Sequence, residues 1–94
     1  MSIVKVEGAK NKHKIFLYTL STCGWCKRTK EFLKENSVEF EYIDVDKCTS
    51  DERRKAIEDI KSRKAPMGFP LAIIDNETLI SGYKPDKYKE VLSL

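Results

Sequence analysis

The 94-residue sequence lacks several features that define other classes of protein. No apolar run approaches the roughly 18–20 residues that a membrane span needs, so we expect no membrane insertion. Residues 1–7 contain neither the apolar core nor the small-residue cleavage site of a signal peptide, which predicts a cytoplasmic protein. The three cysteines are an odd number and a poor basis for the disulfide framework of a secreted domain.

The sequence also lacks a large excess of charge of one sign. Eighteen basic and fifteen acidic side chains give a net charge of +3, spread along the chain, which does not indicate nucleic-acid binding. No Gly-rich dinucleotide loop is present, so we expect no flavin or nicotinamide site and no cofactor. With 40% hydrophobic and 35% charged residues, the chain is predicted to form one soluble domain over residues 1–94, acting as a monomer.

Hydrophobic periodicity predicts alternating strands and helices. The predicted strands are 14–19, 38–45, 71–74 and 78–81, and the predicted helices are 24–36, the segment from 49 to about 63, and the segment following residue 86. The order β-α-β-α-β-β-α predicts an α/β fold with helices on both faces of a four-stranded mixed sheet. Its first two strands would be parallel, through a right-handed crossover. Residues 1–7 could add a short edge strand, in a hairpin with strand 14–19.

The chemically informative motif is Cys-Gly-Trp-Cys at residues 23–26, where the first long strand meets the first helix. Residues i and i+3 are neighbours in a helical turn, so the sulfurs of Cys23 and Cys26 can approach the disulfide distance of about 2.05 Å. Free N–H groups at the helix N-terminus stabilise a thiolate at Cys23. Lys27, Arg28 and Lys30 are expected to be exposed and to add little positive potential individually.

Two other interpretations of this motif remain open. A structural zinc site needs two further ligands, and the candidates, Cys48 and His13, are isolated from the motif and from each other. The pair could also be two inert buried thiols. A Cys-x-x-Cys motif beside a βαβ pattern in a chain without secretion signals favours a redox-active dithiol.

The chain from about residue 13 to its end resembles the glutaredoxin branch of the thioredoxin-like superfamily. Three segments carry the resemblance: the motif at 23–26, Phe69-Pro70 before the third strand, and residues 81–86 (Ser-Gly-Tyr-Lys-Pro-Asp) after the fourth. The resemblance implies a thioredoxin-like fold in which a cis proline packs beside the thiols and the backbone just before it pairs with the substrate. Pro66 and Pro70 compete for that role, and Pro70 directly precedes the third strand.

The sequence also departs from many glutaredoxins. They have Cys-Pro-Tyr-Cys, and their fourth strand is followed by a Gly-Gly and acidic residues that hold glutathione. Residues 81–86 are more similar to the glutaredoxin-like redoxins that donate electrons to ribonucleotide reductase. The resemblance therefore implies protein disulfides as substrates, with ribonucleotide reductase as one candidate. It also implies a reductant of the thioredoxin-reductase or ferredoxin-linked kind, although Lys84 could still meet a glutathione carboxylate.

The predicted reaction is thiol–disulfide exchange, a protein-disulfide reductase activity. The exposed Cys23 attacks a substrate disulfide, and the shielded Cys26 then attacks Cys23 and releases the reduced substrate. A substrate-facing surface is predicted from Gly24, which lets another chain approach, from Trp25 at the lip, and from the resemblance-derived residues, which are Phe69, Pro70, Gly82 and Tyr83.

The remaining candidates are weaker. Cys48 is predicted to be a spare thiol, with a regulatory disulfide as the alternative. His13 is predicted to be a solvated polar residue, and no metal site is expected. A second hypothesis of another class is a protein in which Cys23 ligates an iron–sulfur cluster bridged across a dimer. This would resemble the monothiol glutaredoxins, which lack the second cysteine.

Overall fold

A computed structural model describes residues 3–94, so Met1 and Ser2 of the predicted N-terminal strand lie outside the described residues. The strands are β1 (Val4–Val6), β2 (Ile15–Thr19), β3 (Phe40–Asp44), β4 (Leu71–Ile74) and β5 (Thr78–Ser81). The helices are α1 (Gly24–Glu35), α2 (Ser50–Ser62) and α3 (Pro85–Leu92), with a 3₁₀ turn at Val45–Lys47. The element order confirms the prediction, while strand 38–45 is trimmed at both ends.

The five strands form one mixed sheet in the order β1-β3-β2-β4-β5. The first two long strands, β2 and β3, are parallel as predicted, and β4 is antiparallel to both β2 and β5. The predicted hairpin of β1 with β2 is wrong, because β3 and β4 occupy both edges of β2. Instead β1 pairs antiparallel with β3, from Val4 opposite Tyr42 to Val6 opposite Phe40.

The segment between β1 and β2, around Lys10, runs beside the start of β3. Lys10 makes backbone hydrogen bonds to Ser37 (2.9 Å) and Glu39 (3.0 Å). A Cβ added to Gly8 would lie 2.6 Å from the carbonyl oxygen of Ser37, which is closer than real Cβ contacts allow. Gly8 is therefore required by a close backbone approach, which the sequence pattern did not reveal.

Alternation along β2 places apolar side chains on both faces of the sheet, as expected for a central strand. Ile15 and Leu17 face a core covered by α1 and α3, with Leu33 and Tyr88 among its buried members. Tyr18 faces the second core, which α2 covers. This arrangement confirms helices on both faces of the sheet.

The helix limits follow from local capping. The predicted capping box begins α2: Thr49 Oγ1 accepts the Glu52 N–H, and the Glu52 carboxylate accepts the Thr49 N–H at 3.1 Å. Asn36 caps the end of α1, as predicted. In the described part of the chain, no helix is long and apolar enough to cross a membrane.

Candidate active site

Cys23 occupies the N-cap of α1, in extended backbone conformation, and its sulfur takes the place of the usual capping oxygen. Sγ accepts a hydrogen bond from the Cys26 backbone N–H at 3.2 Å. The preceding loop is held in place, because Asp46 accepts hydrogen bonds from both the backbone N–H and the hydroxyl of Ser21. The sequence therefore places a partly exposed sulfur where the N–H groups of the first helical turn converge.

Cys26 lies one turn further along α1 and is fully buried. Burial, and next the hydrogen bond with Cys23, raise the pKa of the Cys26 thiol to about 12. A thiol that is buried and held neutral is a poor nucleophile, because the thiolate is the reactive form. The two predicted catalytic cysteines thus differ in access in the predicted direction.

The Phe69–Pro70 peptide bond is cis, as the resemblance implied, and this loop lies beside Cys23. The Cys23 thiol donates to the Phe69 carbonyl oxygen over 3.9 Å. Pro70 is buried, whereas Pro66 is exposed. The Pro70 carbonyl accepts the Gly82 N–H at 2.8 Å, and Gly82 adopts a φ of +87°, which favours glycine.

Two aromatic side chains form a wall beside the thiol. The rings of Trp25 and Tyr83 stack with 5.7 Å between centroids, although one belongs to α1 and the other to the loop after β5. The Arg28 guanidinium lies 5.6 Å from the centroid of the Trp25 ring. Trp25 remains 58% exposed, so it is a surface residue as predicted and not part of the core.

An open cavity of about 320 Å³ lies against this wall. It is lined by Trp25, Phe69, Gly82, Tyr83 and Lys84. Gly24 is exposed, and an added Cβ there would meet nothing within 4 Å, so its neighbourhood is open to an approaching chain. The structure thus brings all the predicted substrate-binding residues to one edge of the molecule.

The prediction that Lys30 is exposed is wrong. It was expected to be exposed with Lys27 and Arg28, but its side chain is only 17% exposed and its Nζ lies 3.2 Å from Asp44 Oδ1. Thr19 Oγ1 donates to the same carboxylate oxygen at 2.6 Å. Helical spacing could have revealed it, since residue 30 follows Cys26 by four positions and shares its face of α1.

The two weaker candidates lie apart from the wall. Cys48 is buried in the α2-side core with its sulfur 3.4 Å from the Asp44 carbonyl oxygen, and burial raises the pKa of this thiol. His13 is partnered, with its Nδ1 2.7 Å from Asp75 Oδ2. Across residues 3–94, no three His, Cys, Asp or Glu side chains come together in a metal-binding group.

A Cys-x-x-Cys motif capping a helix beside a cis proline, on a mixed sheet with helices on both faces, defines a thioredoxin-like protein. The glutaredoxin family model matches residues 15–78, and the chain belongs to that family. It is therefore a thiol–disulfide oxidoreductase, and the exchange chemistry predicted from its motif is the chemistry of the family.

Individual relatives agree with this assignment. The glutaredoxin of Methanosarcina mazei Go1 superimposes with a TM-score of 0.88 at 34% identity, covering 100% of this chain and 90% of that one. The NrdH-redoxin of Escherichia coli, a glutaredoxin-like protein with a thioredoxin-like activity profile, superimposes with a TM-score of 0.67 at 26% identity, covering 83% of this chain and 93% of that one. A glutaredoxin-like 8.6 kDa protein encoded in a rubredoxin operon of Clostridium pasteurianum is 32% identical over 72 residues, 77% of this chain and 89% of that protein.

Proposed function

We propose that the protein reduces disulfides of other proteins, with Cys23 as the attacking thiol and Cys26 as the resolving thiol. The Cys23 thiolate attacks a substrate disulfide, forms a mixed disulfide and releases one substrate thiolate. Cys26 then attacks the Cys23 sulfur, releases the second substrate thiolate and leaves a Cys23–Cys26 disulfide. Two electrons pass from the dithiol to the substrate.

The observation that carries this proposal is the unequal burial of two neighbouring sulfurs. Cys23 is partly exposed and contacts Phe69, which lines the open cavity, whereas Cys26 is fully buried. A substrate disulfide can therefore reach the first sulfur and not the second. The short hydrogen bond from the Cys26 N–H to Cys23 Sγ supports the same order, because it stabilises negative charge on the attacking sulfur.

We further propose that a protein reductase, and not glutathione, returns the dithiol to its reduced state. Tight glutathione binding needs fixed partners for two carboxylates and one amine, each charge-assisted hydrogen bond contributing roughly 1.5–3 kcal/mol. After β5, Lys84 forms the N-cap of α3 without a side-chain hydrogen bond, and Pro85 removes a backbone donor at the first helical position. The exposed Trp25 and stacked Tyr83 instead offer a broad aromatic surface of the kind that anchors protein partners.

The test is a comparison of electron donors for the oxidised protein. Glutathione with its reductase, a thioredoxin reductase and a ferredoxin-linked reductase are each offered as the sole donor while a small disulfide is turned over. We expect a protein reductase to support turnover at least about tenfold faster than glutathione, the factor that about 1.4 kcal/mol of lost binding produces. Equal rates with glutathione would return the chain to the ordinary glutaredoxins.

Ribonucleotide reductase is the target we propose to examine first, because of the similarity of residues 81–86 to redoxins that serve it. An odd number of cysteines is a poor basis for a structural disulfide framework and suits a reducing compartment, and we propose the cytoplasm as the location. The iron–sulfur hypothesis has a separate readout. A purified protein that is colourless, monomeric and free of bound iron supports the reductase, and a coloured iron-containing dimer supports the cluster carrier.

A further inference from the structure

The inner face of α1 carries an unexpected charge. The buried residues of this helix are Cys26, Thr29 and Leu33, which follow one another at helical spacing. Lys30 falls within this stripe, and its side chain is 17% exposed. Withdrawing an ammonium group from water costs free energy unless other groups compensate for its lost hydration. The position therefore needs an explanation beyond the solubility that a surface lysine provides.

Two groups hold the Lys30 ammonium in place, and a third fixes one of them. Asp44 Oδ1 lies 3.2 Å from Nζ, and the centroid of the Tyr42 ring lies 3.8 Å from it. Asp44 is fixed in turn by the buried hydroxyl of Thr19, which donates to the same oxygen at 2.6 Å. Because the end of β2 and the end of β3 both contribute, the charge is anchored to the sheet rather than to a mobile surface side chain.

This anchored charge acts on the buried thiol. Lys30 follows Cys26 by four residues, and positions i and i+4 are neighbours on a helix. Within residues 3–94, the neighbouring Cys23 at the N-cap raises the pKa of Cys26 further, whereas a backbone hydrogen bond with Leu20 and, less strongly, the charge of Lys30 lower it. Cys26 in turn raises the pKa of Tyr88 on α3. Of these, Lys30 carries the positive charge, and it opposes the rise in the Cys26 pKa that burial causes.

We propose that Lys30 is a positioning residue for the resolving step, whose ammonium, held by Asp44, favours the Cys26 thiolate when it attacks the mixed disulfide. This inference rests on the proposed role of Cys26 as the resolving thiol. In the step, Cys26 loses its proton to solvent and its sulfur bonds to Cys23 Sγ. The bond between Cys23 and the substrate sulfur breaks, and the substrate leaves as a thiolate. Lys30 gains and loses nothing, and acts through charge alone.

The experiment separates the two exchange steps with an aromatic disulfide, 5,5′-dithiobis(2-nitrobenzoate). Attack by Cys23 releases one coloured thionitrobenzoate anion, and resolution by Cys26 releases a second, so rapid mixing gives two phases. Cys48→Ser serves as the background, so that the two active-site cysteines are the thiols that react. We compare Lys30→Gln, the charge-preserving Lys30→Arg and, as a matched control, Lys34→Gln, which removes an exposed lysine from the same helix.

We expect Lys30→Gln to slow the second phase about threefold at pH 7 and to move its pH profile up by about half a unit, because half a pKa unit changes the thiolate fraction about threefold. The first phase should change less than about twofold, Lys30→Arg should recover most of the rate, and Lys34→Gln should match the parent. If Lys30→Gln does not fold, Lys30→Met keeps the apolar stem without the charge.

The result that would overturn the role of Lys30 is also clearly defined. A lower melting temperature with an unchanged second phase at every pH would make Lys30 purely structural and overturn the inference. Cys26→Ser separates this failure from that of the proposed function. In the Cys48→Ser background this variant keeps Cys23 as its one thiol, and Cys23→Ser keeps Cys26. If the variant with Cys23 releases its thionitrobenzoate at the rate of the parent's first phase and the variant with Cys26 reacts much more slowly, the roles of the cysteines stand whatever Lys30 does. If the variant with Cys26 reacts faster, the proposed function itself fails.

Discussion

The two ends of the central strand β2 differ in what they leave unsatisfied. Beyond its first residue, Asp75 accepts hydrogen bonds from the His13 ring at 2.7 Å and from the Lys14 N–H at 2.8 Å, so the polar groups partner one another. Beyond its last residue, a sulfur and two stacked aromatic rings face solvent. The end that begins β2 borders the larger of two cavities, about 390 Å³ against 320 Å³ for the one beside Trp25 and Tyr83. The reactive groups thus mark the site better than cavity size does.

This contrast predicts how substitutions divide. Changes at the thiol end should alter reaction rates with little effect on the free energy of unfolding. Changes at the opposite end should alter stability with little effect on rates.

The largest effect is expected for Cys23→Ser, which should reduce disulfide reductase activity to the rate without protein, because the attacking sulfur is lost. Cys26→Ser should accumulate mixed disulfides with target proteins, and Cys23→Ser should accumulate none. Non-reducing electrophoresis after incubation with a cell extract shows the difference. Cys48→Ser is the matched control and should keep nearly full activity, and a comparable loss there would contradict the assignment of the site.

Trp25→Ala should lower kcat/KM for a protein disulfide about tenfold, since an aromatic side chain that a bound partner buries contributes more than about 1 kcal/mol at an interface. Turnover of a small disulfide should change less than about twofold, because it does not need the Trp25–Tyr83 wall. His13→Ala, at the opposite end, should leave both rates unchanged. Equal losses on large and small substrates would mean that Trp25 supports the thiol geometry and does not recognise partners.

Gly8→Ala should lower the free energy of unfolding by about 1–3 kcal/mol, because its Cβ would push against the Ser37 carbonyl 2.6 Å away. Gly24→Ala is the control for stability, since its Cβ would meet open space and should leave the unfolding midpoint in urea nearly unchanged. Gly8→Ala should keep its reductase rate at temperatures where it is folded. An unchanged midpoint for Gly8→Ala would contradict the close approach of the two segments.

The smallest effect is expected for Asp75→Asn. The hydrogen bond from His13, and next that from Lys14, hold the pKa of the Asp75 carboxyl below its usual value. This stabilisation is therefore present above the unfolded-state pKa of about 3.9 and is lost as pH falls through the lower folded-state value. Wild type should lose more stability than Asp75→Asn over that acid range, as followed by urea unfolding. Parallel pH curves would contradict this role.

Most elements could be predicted because local signals are strong here. The capping box at Thr49 begins α2, Asn36 ends α1, and the apolar runs at 71–74 and 78–81 match β4 and β5 residue for residue. The pairing of β1 could not be predicted, since alternation identifies a strand but not the edge that remains free for it. The requirement for glycine at position 8 could not be predicted for a similar reason, because a backbone contact with Ser37 leaves no local pattern in the sequence.

The site residues could be predicted as one group because the family resemblance supplied long-range information that spacing does not. Spacing alone joins Cys23 to Cys26, whereas the approach of Phe69 and Tyr83 depends on how β4 and β5 are placed beside β2. Lys30 was misjudged because lysines are usually exposed, and its partner Asp44 is fourteen residues away in the sequence. A charge on the buried stripe of an amphipathic helix is the signal that would have identified it.

The central claim is the division of labour between the two active-site sulfurs, and limited alkylation of the reduced protein tests it most directly. The protein is treated with substoichiometric iodoacetamide near neutral pH, digested and mapped by mass spectrometry, with buried Cys48 as an internal reference. We predict that Cys23 is labelled first and that Cys26 and Cys48 stay largely unmodified. Preferential labelling of Cys26 would reverse the assigned roles and contradict the account.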